Sequence, residues 1–161
     1  MSGRTALAAR TALVLAVLLC AFAGWSYAQT RADDSLSFAA AREDALADGK
    51  RRVADLTSFD AKAPDVSRRT WLDAATGPLR EDLARSPGAT DTTARARVTD
   101  AALTALDDRT GTAELIATVD VVTTPPGAEP HTERKRLDAT LARTADGWKI
   151  RSLAAVPVGG V

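Results

Sequence analysis

Two kinds of hydrophobic pattern divide this chain. From Thr11 to Thr30 no residue carries a formal charge, and the centre, Ala12 to Ala23, is apolar throughout. Twenty helical residues rising about 1.5 Å each just reach across a hydrocarbon core of about 30 Å. Arg4 and Arg10 precede this run, and Arg31, Asp33 and Asp34 follow it. That asymmetry keeps the amino terminus in the cytoplasm, and Trp25 and Tyr27 fall where an aromatic belt marks the outer interface. The expected organisation is a cytoplasmic tail over 1–10, a transmembrane signal anchor over 11–30, a short linker over 31–35 and one exported domain over 36–161. The alternative is a cleaved signal peptide, since Ala12 to Ala23 also suits an h-region and Ser26-Tyr27-Ala28 offers a small-x-small site. Bulky Trp25 and Tyr27 favour the anchor, and cleavage after Ala28 stays open. Cys20 follows Leu19, which is not the small residue a lipoprotein signal needs, so it reads as a small apolar residue of the span.

Beyond the linker the spacing becomes helical. Phe38, Ala41, Ala45, Leu46, Gly49, Val53 and Leu56 share an arc of about 140° at about 100° per residue, which predicts a helix over Leu36 to Phe59. Arg42 projects inside this apolar arc and Arg52 at its edge. Pro64-Asp65 opens a second helix through Trp71, Leu72 and Ala75. Ala75-Thr76-Gly77-Pro78 breaks it, and Pro78 starts a short third helix with Leu79 and Leu83 on one face.

From Thr92 the period is two. Ala94 to Asp107 predicts a long strand whose alternation slips near Ala101-Ala102, as at a bulge. Thr112 to Thr124 alternates cleanly, with Leu115, Ala117, Val119 and Val121 on one face and Glu114, Thr118 and Asp120 on the other. Thr132 to Thr144 places Leu137, Ala139 and Leu141 inward and Arg136, Asp138 and Thr140 outward. Asp146-Gly147 turns the chain into a last strand, Trp148 to Val156. Helices followed by a four-stranded meander predict an α+β domain, with helices packed on a curved antiparallel sheet.

Charge narrows the partners. Removing Arg4 and Arg10 from the 21 basic residues leaves 19 against 21 acidic ones in the exported part. That balance does not favour nucleic acid or an anionic membrane surface as the main partner. With Cys20 inside the span, the domain folds without disulfides.

Candidate chemistry is sparse. The exported part has no tyrosine, which an isomerase oxyanion hole of tyrosine plus a protonated acid would need. Its one histidine, His131, follows Pro130 in a loop without an evident carboxylate partner and reads as solvated. No zinc or iron ligand set, nucleophile elbow or phosphate loop is present. Arg42 suggests a headgroup or carboxylate contact, or a wet position beyond the sheet edge. Asp120 and Asp138 read as a solvated strand face. Thr132-Glu133-Arg134-Lys135-Arg136 is a small basic cluster suited to an edge strand, an anionic lipid or an acidic partner. Phe38, Phe59, Trp71 and Trp148 are read as core. No catalytic, cofactor-binding or metal-binding residue is assigned, and no cofactor is expected.

Four segments carry a resemblance. Ala41-Arg42-Glu43-Asp44-Ala45, Val53 to Asp60, Ala74-Ala75-Thr76-Gly77-Pro78-Leu79-Arg80-Glu81-Asp82-Leu83 and Asp146-Gly147-Trp148-Lys149-Ile150-Arg151-Ser152-Leu153 follow an N-terminal signal anchor. Together they resemble the Mce-associated membrane proteins of high-GC Gram-positive bacteria, from about Leu13 to Val156. The resemblance implies an NTF2-like, or cystatin-like, cone-shaped exported domain. It also implies a non-catalytic accessory role beside Mce lipid-import systems, with Mce-complex or other envelope membrane proteins as partners, and lipid as a further one. A lipid- or sterol-binding cone and an NTF2-like enzyme with an unrecognised site remain alternatives. A cone filled by its own side chains favours the accessory role, and an open apolar cavity favours binding.

Overall fold

The computed structural model describes residues 18–22, 36–86 and 90–156. Contacts divide the chain into two compact units, Met1–Ala40 and Ala41–Val161. In the first, residues 18–22 are helical with Leu18, Leu19 and Phe22 exposed, and residues 36–40 are helical too. The rest of the expected span over 11–30, and the linker over 31–35, lie outside the described residues. Among the described residues no helix is long and apolar enough to cross a membrane. Phe38 is 45% exposed, which corrects its expected place in the core.

The second unit begins with α1, residues 41–57. Ala41, Ala45, Gly49 and Val53 are buried, and Leu46 and Leu56 half-buried, along the expected arc. Gly49 lets the helix sit close to the sheet: a Cβ there would lie 3.0 Å from Leu115 Cδ1 and 3.1 Å from Leu141 Cδ2. The helix stops at Thr57 rather than Phe59. Thr57 Oγ1 donates to Val53 O (2.6 Å) and Ser58 Oγ to Ala54 O (2.8 Å), satisfying carbonyls of the last turn. Phe59 then exchanges backbone hydrogen bonds with Ala94 at 2.7 and 2.8 Å, so strand pairing ends the helix two residues early.

Helix α2, Pro64–Ala74, and helix α3, Gly77–Arg85, each carry a proline in the first turn, where its missing N–H costs nothing. Between them Thr76 N–H donates to Ile150 O (2.8 Å), within a parallel bridge between Ala75 and Ile150.

Strands β1 (Thr93–Asp107), β2 (Thr112–Thr124), β3 (His131–Thr144) and β4 (Gly147–Ala155) form one antiparallel sheet in sequence order. β1 shifts register twice, between Val98 and Asp100 and between Leu103 and Ala105. The slip expected near Ala101-Ala102 is thus two irregularities flanking that pair, and such bulges bend a strand. The two bridges cover part of each sheet edge, Phe59 against β1 and Ala75 against β4, where unpaired strand groups would otherwise invite another chain.

The core lies between α1 and the alternate positions of the sheet. Ala113, Leu115, Ala117, Val119 and Val121 of β2 are buried in strict alternation, joined by Leu137, Ala139 and Leu141 of β3 and by Trp148 and Ile150 of β4. Burying each larger aliphatic side chain contributes about 1.5–3 kcal/mol. The architecture is α+β, helices on one face of a curved four-stranded sheet, and it fits the NTF2-like cone.

Candidate functional site

The helix-covered face of the sheet is occupied by the chain itself. Val53, Leu115, Val119, Leu141 and Ile150 are each under 2% exposed and belong to one cluster. Close packing of this kind leaves no room for a ligand among them. Three hollows among the described residues lie at the margin of the core and on the other face of the sheet.

One hollow of about 210 Å³ lies among the end of α1, α2 and the start of β1, floored by Phe59 and Val66. It holds two carboxylates, Asp55 and Asp60, one guanidinium, Arg95, and four hydroxyls, those of Ser58, Ser67, Thr70 and Thr93. Burial raises the Asp55 carboxyl above the usual carboxylate range, against the pull of Arg52 and Arg51. The hydroxyls serve the fold. Ser58 Oγ also accepts from Ala96 N–H (3.0 Å), Ser67 Oγ accepts from Asp60 N–H (2.9 Å), and Thr70 Oγ1 donates to Val66 O (3.1 Å). Thr93 Oγ1 likewise accepts from Ala61 N–H (3.2 Å), so each hydroxyl of the lining makes a hydrogen bond to the backbone, and none bonds to Asp55. Trp71 stacks on Phe59 at 5.3 Å and donates its indole N–H to Ser58 O (2.8 Å), which fixes the hollow's wall.

A second polar centre joins α1, α2 and β4. Arg52, with its side chain 13% exposed, donates to Asp73 Oδ2 at 2.6 Å. Lys149, 8% exposed, reaches Asp73 Oδ1 and Asp146 Oδ2, both at 3.3 Å. The bond from Arg52 holds Asp73 below the usual carboxylate range, with Lys149 adding to it. Two largely buried cations therefore share one exposed carboxylate, and Arg52 Nε is buried with no hydrogen-bond partner. The centre is a latch: it positions α2 against α1 and β4, and every carboxylate in it already has a cation. The sequence signalled only Arg52, at the edge of its arc; Asp73 and Lys149 are 76 residues apart and meet only through the fold.

The structure brings none of the singled-out residues together into an acid–base pair. Arg42 is exposed, as its wet reading required, and His131 is exposed at the start of β3 opposite Thr123. Phe59 and Trp148 are buried at 6% and 2%, Trp71 is half-buried, and the Arg143 guanidinium sits 4.9 Å over the Trp148 ring. Among the described residues no group of histidine, cysteine and carboxylates is placed to hold a metal ion.

The open face of the sheet carries the outward positions that the alternation predicts. Asp120 accepts two bonds from Arg134, at 2.8 and 3.3 Å, which holds its carboxyl below the usual range. Arg97 stands opposite Asp120 on β1. The basic cluster over 132–136 thus sends Arg134 and Arg136 onto this face, beside a carboxylate of the next strand. Toward the other end of the same strands the face turns acidic. A hollow of about 390 Å³ there is lined by Thr104, Glu114, Asp138, Thr140, Ser152 and Ala154 with the backbone around them. A smaller one, about 190 Å³, lies between them, beside Asp100, Ile116 and Arg136.

No family model matches the chain, and no curated protein matches it. Solved structures do. The chain is similar to an IcmL-like type IV secretion system protein from Legionella pneumophila, with TM-score 0.57 and 14% identity over 74% of this chain and 95% of that one. It is similar also to CagV, a VirB8 homologue of the type IV secretion system of Helicobacter pylori, with TM-score 0.54 and 9% identity over 73% of this chain and 99% of that one. At these identities the likeness is one of fold, and it supports the NTF2-like architecture. Neither of the two is an Mce-associated protein.

Proposed function

We propose that this chain is a non-catalytic accessory protein of the cell envelope. Residues 11–30 anchor it once in the membrane with the amino terminus in the cytoplasm, and the domain over 36–161 stands outside. There it assembles with, or stabilises, a Mce-type lipid import system. The observation that carries the non-catalytic part is the filled interior: Val53, Leu115, Val119, Leu141 and Ile150 occupy the space a substrate or lipid would need. What remains to act with is surface, the natural equipment of an assembly factor. The Mce assignment rests on the four sequence segments quoted above.

A second reading has its own support. The two fold neighbours come from type IV secretion systems, which favours an assembly role in a secretion-type envelope complex. Isolating the full chain from membranes of its own cells in mild detergent separates the two. Mass spectrometry of the co-purifying proteins and lipids is the readout. Mce-type components support the first reading and secretion-channel components the second. A stoichiometric lipid inside the domain would overturn the filled-interior argument. Recovery of the chain alone would overturn both assembly readings.

A further inference from the structure

We propose that Arg52 and Lys149 form a binding site for a carboxylate carried by a protein partner, a site that Asp73 fills from within while the chain is alone. The two cations and their counter-ion differ in setting. Arg52 precedes the fully buried Val53 on α1, and Lys149 stands between Trp148 and Ile150, both in the core. Helix and strand thus hold the two cations in place. Asp73, next to the last residue of α2, is 63% exposed. Its carboxylate bonds to Arg52 and to Lys149 and to no other described residue.

Asp73 is an imperfect occupant. Tethered to α2, it divides its two oxygens between the cations, Oδ2 to Arg52 and Oδ1 to Lys149. A guanidinium has several N–H donors in a fixed fork. Arg52 uses one of them, and its Nε is buried without an acceptor. Lys149 has a second carboxylate only in Asp146, which is exposed and screened by water. Asp55 feels both Arg52 and Asp73 but bonds to neither. A carboxylate free of the tether can turn to take more of the Arg52 donors at once, the paired geometry that arginine favours. Little has to move to admit it. Trp71 Nε1 stays on Ser58 O and Ala75 stays bridged to Ile150, so α2 keeps its place while Asp73 rotates into the water it already borders. The spacing of the cations selects the ligand, since one planar group with two oxygens spans them now. A phosphate would bring a second negative charge toward Asp146. Asp73 also selects the source. Its tether gives it a high local concentration, which a free small carboxylate does not match and a side chain held by further contacts does.

Acetate is the probe for the site, added to the full chain in mild detergent with chloride at equal ionic strength as the control. Asp73→Asn leaves the two cations without their shared counter-charge. Acetate then shifts the Arg52 Nε–H resonance saturably and raises the thermal midpoint, and Lys149→Met in that background abolishes both effects. The natural chain shows the same shift at acetate concentrations about tenfold higher, because Asp73 competes. That measurement needs no variant and stands should Asp73→Asn misfold. Co-purification from membranes of the chain's own cells reads the partner, and this arm alone rests on the assembly reading above. Asp73→Asn recovers about threefold more protein partner than the natural chain, since the internal competitor is gone. A purely structural role for Asp73 lowers recovery instead. The proposal is overturned by an acetate response no larger than that to chloride, by phosphate binding more tightly than acetate, or by a recovery that falls in Asp73→Asn. A chain that binds acetate but recovers no partner with either sequence overturns the assembly reading and the partner-borne source, and not the site.

Discussion

Gly147→Ala tests how the last hairpin is fixed to α1. Ala145 and Asp146 keep negative φ, and Gly147 takes φ 94° as the chain enters β4. A side chain there meets two separate penalties. The positive φ costs about 1–2 kcal/mol for an L-residue. The new Cβ would also lie 2.7 Å from Asp48 Oδ2, the atom that accepts the Trp148 N–H at 2.9 Å. Asp48 can swing away, but the buried Trp148 N–H then loses a charged acceptor, worth about 1.5–3 kcal/mol. The expected destabilisation is therefore about 2.5–5 kcal/mol, measured by urea unfolding followed through tryptophan fluorescence. Asp48→Ala alone loses that hydrogen bond, about 1.5–3 kcal/mol, together with the exposed ion pair to Arg51, which adds little. In the double variant nothing remains to collide, so its loss matches that of Gly147→Ala instead of the sum. A coupling of about 1.5–3 kcal/mol follows from the shared bond. Strict additivity, or a Gly147→Ala variant within about 0.5 kcal/mol of the natural chain, would refute the reasoning.

Other consequences are open to the same unfolding assay. Leu141→Ala, at a fully buried position, loses about 2–5 kcal/mol, whereas Phe38→Ala, 45% exposed, stays within about 0.5 kcal/mol. Asp73 has a folded-state pKa held below its unfolded value of 3.8, so its contribution is present above about pH 4 and is lost as acid takes the pH down through the folded value. Asp73→Asn flattens that acid limb of the stability profile. Asp55 has the opposite sign: its pKa is raised, so stability falls as pH rises from 3.8 through the folded value. Asp55→Asn therefore gains stability at pH 7 relative to pH 3, and an Asp55→Asn profile parallel to that of the natural chain would sink the burial argument. A reporter fused after Val161 that is active only outside the cytoplasm checks the orientation set by Arg4 and Arg10, and a cytoplasmic reporter's activity would reverse it.

Periodicity made the elements legible because each strand has one buried and one wet face. β2 shows this best: Ala113 to Val121 repeats every second residue, and the sequence pattern and the burial pattern are the same statement. α1 was equally readable through Ala45, Gly49 and Val53. Ends were less so. Phe59 left the helix because Ala94, 35 residues later, offered it a backbone partner, a contact that no local pattern encodes. Phe38 followed the helical arc but lies before Ala41, where burial begins. The Arg52–Asp73–Lys149 latch was invisible for the same reason: three charged residues on three elements each look solvated alone. The outward positions of Asp120 and Asp138 were legible by alternation. Their cross-strand neighbours, Arg134 beside Asp120 and Ile116 beside Asp138, needed the register.

One backbone bridge and one side-chain hydrogen bond set a timetable for folding. Ala75 waits for Ile150, and Asp48 for Trp148 100 residues later. Synthesis delivers the helices first and the strand that completes their bonding last. Until β4 arrives, α1 lacks Ile150 and Trp148 for its apolar stripe, and the α2–α3 junction lacks its backbone acceptor. Contacts of such sequence separation are slow to close and cooperative once closed. A chain truncated before Gly147 therefore loses the anchorage of its first half along with its last strand, and the domain is gained or lost as one event.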